Sequence, residues 1–263
     1  RYLCKACKRS FVSTTNTPIF STKKDITVWL NFLDCLINQY SIVKTSKLLN
    51  ISVSTAFLWR HKILDAIREK YTCLKLDKEI QCDETFFQES FKGNHKLDGF
   101  VMPRKPHKRG GQARFKGISK EKVCVLTALD SSKNLFIAPI AMGKPSSNDL
   151  IRSVGKTMTP GSTLITDSLF SYKTLSSYCK LNHVAIPKGQ HSFKNFNIQK
   201  VNSLHSNIKR FIRVYRGVST KYLANYLALF KYIFSNMEES PLLIKGEHPF
   251  KNTNFKGRPP IFE

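Results

Sequence analysis

Near residue 79 the spacing of apolar residues changes from three or four to two, and this switch constrains the fold more than any other feature. Before it, DITVWLNFLDCLIN predicts a helix with Ile26, Trp29, Leu30, Leu33, Leu36 and Ile37 on one face. A short helix with Val43 and Leu48–Leu49 should follow and stop at Asn50. Ser52 or Ser54 can then cap a longer helix carrying Ala56, Phe57, Trp59, Ile63, Leu64 and Ile67. After the switch, EIQCDETFF reads as a strand, and KVCVLTALD (122–130) and NLFIAPIA (134–141) read as a hairpin joined by DSSK. Further elements are a helix at 147–158, a strand STLITD at 162–167 and the helix SLFSYKTLSSYCK. A strand at 182–189 comes next, then two helices, 198–216 and 219–235, parted by Gly217. The order β, β-β, α, β, α, β, α, α predicts a mixed α/β protein whose first three strands are antiparallel.

A ribonuclease H-like layout has this element order, with a small helical unit ahead of it. Lys and Arg number 43 against 18 Asp and Glu, for a formal charge of +25. Such self-repulsion points to a polyanionic partner: nucleic acid first, an anionic membrane surface second. A content of 41% hydrophobic and 23% charged residues excludes bulk disorder. Apolar runs such as LFIAPIAM (135–142) fall far short of the roughly 20 residues that span a bilayer. Seven cysteines at scattered positions do not make a disulfide scaffold, and the chain, which opens on Arg1, reads as a fragment or a truncated reading frame with no secretory signal before the cysteines.

The acids carry the chemistry. Asp83 lies inside the first strand and Asp167 ends the fourth, and in this layout those strands are central neighbours. Two carboxylates brought together in so basic a chain call for divalent metal, Mg2+ or Mn2+. A pair of such ions suits in-line phosphoryl displacement. An isolated Asp in a turn is ordinarily a solvated cap, but both of these sit in apolar strand runs. Glu84 should point to the opposite sheet face. From the helix near 200, Asn202, His205 and Lys209 share one side, beside a stripe of Leu204, Ile208, Phe211 and Tyr215. His205 fits either a catalytic third corner or a packed structural histidine.

Three features bear on DNA. The short helix, turn and longer basic helix form a helix-turn-helix pattern that offers Ser54, Thr55, Arg60, His61 and Lys62 to a major groove, although helical hairpins that only pack also look like this. The stretch 103–122 holds eight Lys/Arg and one Glu, among them Arg104, Lys105, Lys108, Arg109, Arg114 and Lys116. With three glycines it can follow a phosphate backbone or remain a solvated loop. Cys4-x-x-Cys7 is half of a four-ligand zinc site, or simply two thiols near a terminus.

Taken in order, these motifs resemble the IS1595-like (ISXO2-like) group of DDE insertion-sequence transposases over nearly the whole chain. RYLCKACKRSFVSTTNTPIF is similar to the tail of its zinc ribbon, CDETFF to its first acidic motif and ITDSLFSYKTL to its second. VNSLHSNIKRF with YRGVSTKYLANYLALFKYI is similar to its third motif and closing helices. The resemblance implies a zinc-ribbon remnant at 1–20, a helix-turn-helix domain at 21–75, a ribonuclease H-like catalytic domain at 76–240 with a basic insertion at 103–122, and a tail at 241–263. It implies that Asp83 and Asp167 hold two divalent ions, that His205 stands where a third acid is usual and that Lys209 trails it. Imidazole suits Mn2+ better than Mg2+. Also implied are cleavage and strand transfer at element ends, and a homodimer or larger assembly on DNA in a cytoplasmic, nucleoid-associated setting. The alternative is a decayed transposase or regulator that only binds DNA. A ribonuclease H-like nuclease acting on other nucleic acids is a third reading.

Overall fold

The computed structural model describes residues 1–70, 75–94, 99–103, 115, 117–190 and 192–236. At the start, β1 (Tyr2–Leu3) pairs antiparallel with β2 (Ser10–Phe11), and the Tyr2 and Phe11 rings stack at 5.4 Å. Three helices follow: α1 (Ile26–Ile37), α2 (Ile42–Leu48) and α3 (Val53–Lys70). Each begins where a side-chain oxygen accepts from a free backbone N–H, as the first turn of a helix requires. Asp25 accepts from Thr27, Ser41 from Lys44 and Ser52 from Thr55. Past α2, Asn50 adopts a φ of 48°, a left-handed conformation that prevents the helix from continuing.

The predicted apolar face of α1 divides in two. Trp29 and Leu36 turn inward with Phe32 and Cys35, whereas Ile26, Leu30, Leu33 and Ile37 are 51%, 39%, 37% and 40% exposed. Aromatic packing decides which side goes in. Trp29 stacks on Trp59 of α3 with centroids 3.7 Å apart, and Phe32 meets the same indole edge-on at 5.6 Å.

The central sheet has the order β5-β4-β3-β6-β7, built from β3 (Glu79–Gln88), β4 (Lys122–Asp130), β5 (Leu135–Met142), β6 (Thr163–Thr166) and β7 (Asn182–Ala185). The first three strands are antiparallel, while β6 and β7 run parallel to β3, so the sheet is mixed as the element order predicts. Asp130 closes the β4–β5 turn by accepting from both the backbone and the side-chain amide of Asn134. Helix α4 (Ser147–Val154), opened by a reciprocal Ser146–Asp149 cap, and α5 (Phe170–Cys179) cover one face. A small hairpin of β8 (Ser192–Phe193) and β9 (Phe196–Asn197), not anticipated from the sequence, leads into α6 (Gln199–Val214). Helices α6 and α7 (Thr220–Asn236) cover the other face.

Period-two alternation sorts the core into these two layers. Ile80, Cys82, Leu126, Ala128 and Leu164 pack with Leu150, Tyr172 and Leu175 under α4 and α5. Val123, Val125, Leu129 and Leu135 pack with Leu204, Ile208 and Phe211 of α6 and with α7. The same cluster runs on through α7 into Trp29, Phe32, Trp59 and Leu64, so the helical unit shares its core with the sheet. Among the described residues, no helix is long and apolar enough to cross a membrane.

Candidate active site

Register brings the two aspartates together. Gln81 of β3 lies opposite Ile165 of β6 in a parallel pair, so the register leads Asp83 toward Asp167, just past the end of β6, and Asp167 contributes to the raised pKa of Asp83. Side chains two apart share a sheet face, and Gln81 faces α6, so the Asp83 carboxylate lies on the α6 side. Asp167 Oδ1 accepts from the Leu169 backbone N–H at 3.0 Å, which fixes that carboxylate ahead of α5.

Helix α6 places His205 beside Asp83. His205 is buried, and its Nδ1 lies 3.7 Å from Asp83 Oδ2. Lys209, one turn on, and Asn202, one turn back, are exposed. Burial lowers the His205 pKa to about 4, with Lys209 adding to the effect, so the imidazole is neutral near pH 7. The contact is therefore not an ion pair, and it is longer than a hydrogen bond. Burial raises the Asp83 carboxyl to about 6; the Glu84 backbone N–H opposes this, Asp167 adds to it and Lys209 offsets part of it.

The donor set fits a divalent cation. The register leads Asp83 toward Asp167, and the neutral imidazole beside Asp83 is the form that ligates metal. Buried polar atoms on this side lack a protein hydrogen-bond partner: His205 Nε2, Thr85 Oγ1 and Thr127 Oγ1, the last directly across from Asp83. The described residues hold no group of three or more His, Cys, Asp or Glu close enough to share an ion. The pair in contact is thus His205 and Asp83, with Asp167 near enough to act on Asp83 but outside a shared three-residue group. A cavity of about 390 Å³ opens beside Asp167, lined by Ser168, Lys188, Gln190, Ile186 and Ile198.

Glu84 faces the opposite side, as its strand position predicts. Burial raises its carboxyl to about 7, and the nearby Tyr172 hydroxyl opposes the shift. Two polar residues escaped the sequence reading. Gln81 Oε1 accepts from the Val201 backbone N–H at 3.3 Å, serving the first turn of α6, where Ile198 provides no side-chain cap. Thr85 joins Asp83 on the α6 face. Strand alternation around Asp83 was the available signal for both.

The residues expected at a DNA groove separate sharply. Arg60 and His61 are 2% and 8% exposed, contrary to the expectation that they face outward. Arg60 Nη2 donates to the Tyr40 carbonyl at 2.6 Å, and its guanidinium lies over Tyr215. His61 packs on Tyr222 with ring centroids 3.9 Å apart. His61 is drawn inward because α3 packs on α7, and Arg60 because it reaches Tyr40 and Tyr215, neither of which the local pattern of α3 reveals. Lys62 and Ser54 are exposed, and Thr55 is half-buried against Ser52. Arg104, Lys105, Lys108, Arg109, Arg114 and Lys116 lie outside the described residues. Cys4 and Cys7 sit together in the β1–β2 turn; the Cys7 backbone N–H, followed by its thiol, lowers the Cys4 pKa. Among the described residues, no third ligand joins this pair.

No curated protein sequence matches this chain. Among solved structures, similarity appears to a chain of the cryo-EM structure of the simian T-cell lymphotropic virus intasome in complex with PP2A regulatory subunit B56 gamma. The identity is 10%, over 76% of this chain and 67% of that one, and the TM-score of 0.36 is too low for the two folds to superpose as one. The family comparison is decisive, because the ISXO2-like transposase domain matches residues 75–235, from just before β3 to near the end of α7. The chain belongs to the ISXO2-like transposase family.

Proposed function

We propose that this chain is a DDE-type transposase that cleaves DNA at insertion-sequence ends and joins the freed end to target DNA, on a ribonuclease H-like catalytic domain. What supports this reading most is the sheet register that leads Asp83 toward Asp167 at the end of β6, with His205 Nδ1 3.7 Å from Asp83. In this reading the two aspartates hold Mg2+ or Mn2+, which when bound supply Lewis acidity at the scissile phosphate. Asp83, with its carboxyl at about 6, is ionised at neutral pH and able to ligate. Asp167 is held in place by the Leu169 N–H. The neutral His205 offers a lone pair to a cation or a route for a proton. Lys209 presents its ammonium to the DNA phosphates, and the cavity beside Asp167 receives the DNA end. Hydrolysis breaks one phosphodiester bond and frees a 3′-OH, which then attacks a target phosphate by the same in-line displacement.

The helix-turn-helix of α2 and α3, through Ser54 and Lys62, and the zinc-ribbon remnant at Cys4 and Cys7 would bind the terminal repeats. The basic stretch 103–122 would follow the backbone without reading sequence. Two ends must be held together, so the active assembly is a dimer or larger on DNA.

The test is cleavage of a duplex carrying the element's inverted repeats, with Mn2+ or Mg2+, by wild type, Asp83→Ala and Asp167→Ala. The proposal expects metal-dependent nicking at the repeat by wild type alone, with DNA affinity retained in both variants. Binding without cleavage under either metal would leave a DNA-binding protein without chemistry. Cleavage indifferent to the repeats would leave a general nuclease.

A further inference from the structure

Helix α1 has a second apolar face that none of the described residues covers. Ile26, Leu30, Leu33 and Ile37 project outward, away from the Trp29–Trp59 core. Their spacing of four, three and four is the a/d seam of a coiled coil, which positions side chains to interlock with another helix. A solvated helix has no need of such a seam, and contiguous exposed apolar surface ordinarily marks an interaction site.

The charge pattern identifies the partner. Residues 25–43, between Lys24 and Lys44, form the longest stretch without Lys or Arg in a chain of charge +25. The stretch contains two charged residues, Asp25 and Asp34. A surface without cations is a poor place for phosphate contacts, so this face is not a DNA surface. It is, however, where two strongly basic chains can meet with least repulsion. The seam is also self-complementary, as a twofold contact between identical chains requires.

We propose that α1 is a self-association surface that packs against α1 of a second copy of this chain. The inference extends the assembly on DNA described above and stands on α1 alone, so it does not depend on Asp83 or Asp167. Magnitude sets its character. Twelve residues make a helix about 18 Å long, and one such pair falls short of the roughly 1,200 Å² buried by a stable interface. Pairing is therefore weak between free chains and strong when two chains share a duplex, which raises their effective concentration.

The experiment is sedimentation velocity of the full chain up to about 100 μM, and on a duplex with room for two chains. Wild type should load that duplex cooperatively and, when free, approach the two-chain species at the highest concentrations. Leu30→Glu/Leu33→Glu should need at least about tenfold more protein to associate and should load the duplex independently. Single-chain DNA affinity and melting temperature should be unchanged, since both side chains are exposed. Mixing that variant with Leu30→Lys/Leu33→Lys should restore association. The proposal fails if wild type loads the duplex independently, if the Glu variant associates like wild type, or if the charge-swapped mixture does not recover. A melting loss in the Glu variant that vanishes when the chain is ended at Asn236 would show that residues 237–263 cover the stripe, and would also overturn it.

Discussion

Asp83 and Glu84 are neighbours on β3, yet strand alternation sends them into different surroundings. Both carboxyls are raised chiefly by burial, to about 6 and about 7. Asp83 has a neutral imidazole 3.7 Å away and an exposed lysine that offsets part of its shift. Glu84 is half-buried beside the Tyr172 hydroxyl, with Asp83 and Asp167 also raising its pKa, and its Oε1 has no protein hydrogen-bond partner. A raised pKa alone therefore does not distinguish the two positions. Their neighbours do: His205 and Lys209 on one side, Tyr172 on the other.

The largest test of this contrast is catalytic. Asp83→Asn should lower metal-dependent cleavage by on the order of a thousandfold or more, while Glu84→Gln stays within about tenfold of wild type. Equal losses would erase the distinction between the faces. His205→Ala should cost about ten- to a hundredfold in cleavage, with His205→Glu recovering part of it in Mg2+, as expected if the position serves the ions. Gln81→Leu should reduce cleavage less than His205→Ala, and combining the two should add little, because Gln81 acts by seating α6. Both effects would be read in steady-state cleavage rates.

The smallest effect is in stability against pH. The folded-state pKa values of Asp83 and Glu84 stand above their ordinary 3.8 and 4.5. Their contribution is therefore fully present below about pH 4 and lost as pH rises through 6 to 7. His205 works the other way: depressed from 6.5 to about 4, it contributes stability above 6.5 that is lost as pH falls. Asp83→Asn and Glu84→Gln should each flatten the decline of the metal-free protein between pH 4 and 7, by on the order of 1–2 kcal/mol. Thermal melts across that range measure it, and divalent metal should remove the Asp83 part while leaving the Glu84 part.

Much of this was legible in the sequence, for physical reasons. Strands of eight to ten residues declare their period, which is why β3, β4 and β5 and the placement of Glu84 could be read directly. The approach of Asp83 toward Asp167 followed from strand order. Two-residue strands such as β8 and β9 are too short to carry a period. The split face of α1 was hidden because leucine and isoleucine look alike whether they enter a core or a seam. It took the stacking of Trp29 on Trp59 to choose the side. Arg60 and His61 misled for a related reason. Their partners, Tyr40, Tyr215 and Tyr222, come from other elements, and a cation in a basic helix reads as exposed until those rings are placed.

The central claim is that Asp83 and Asp167 share cations, and calorimetric titration of Mn2+ into metal-free protein tests it most directly. Above pH 7, wild type and Glu84→Gln should bind alike, Asp83→Asn and Asp167→Asn should each lose binding, and wild-type affinity should fall as pH drops through about 6, where Asp83 takes up its proton. Wild-type affinity for Mn2+ in both aspartate variants would contradict the account.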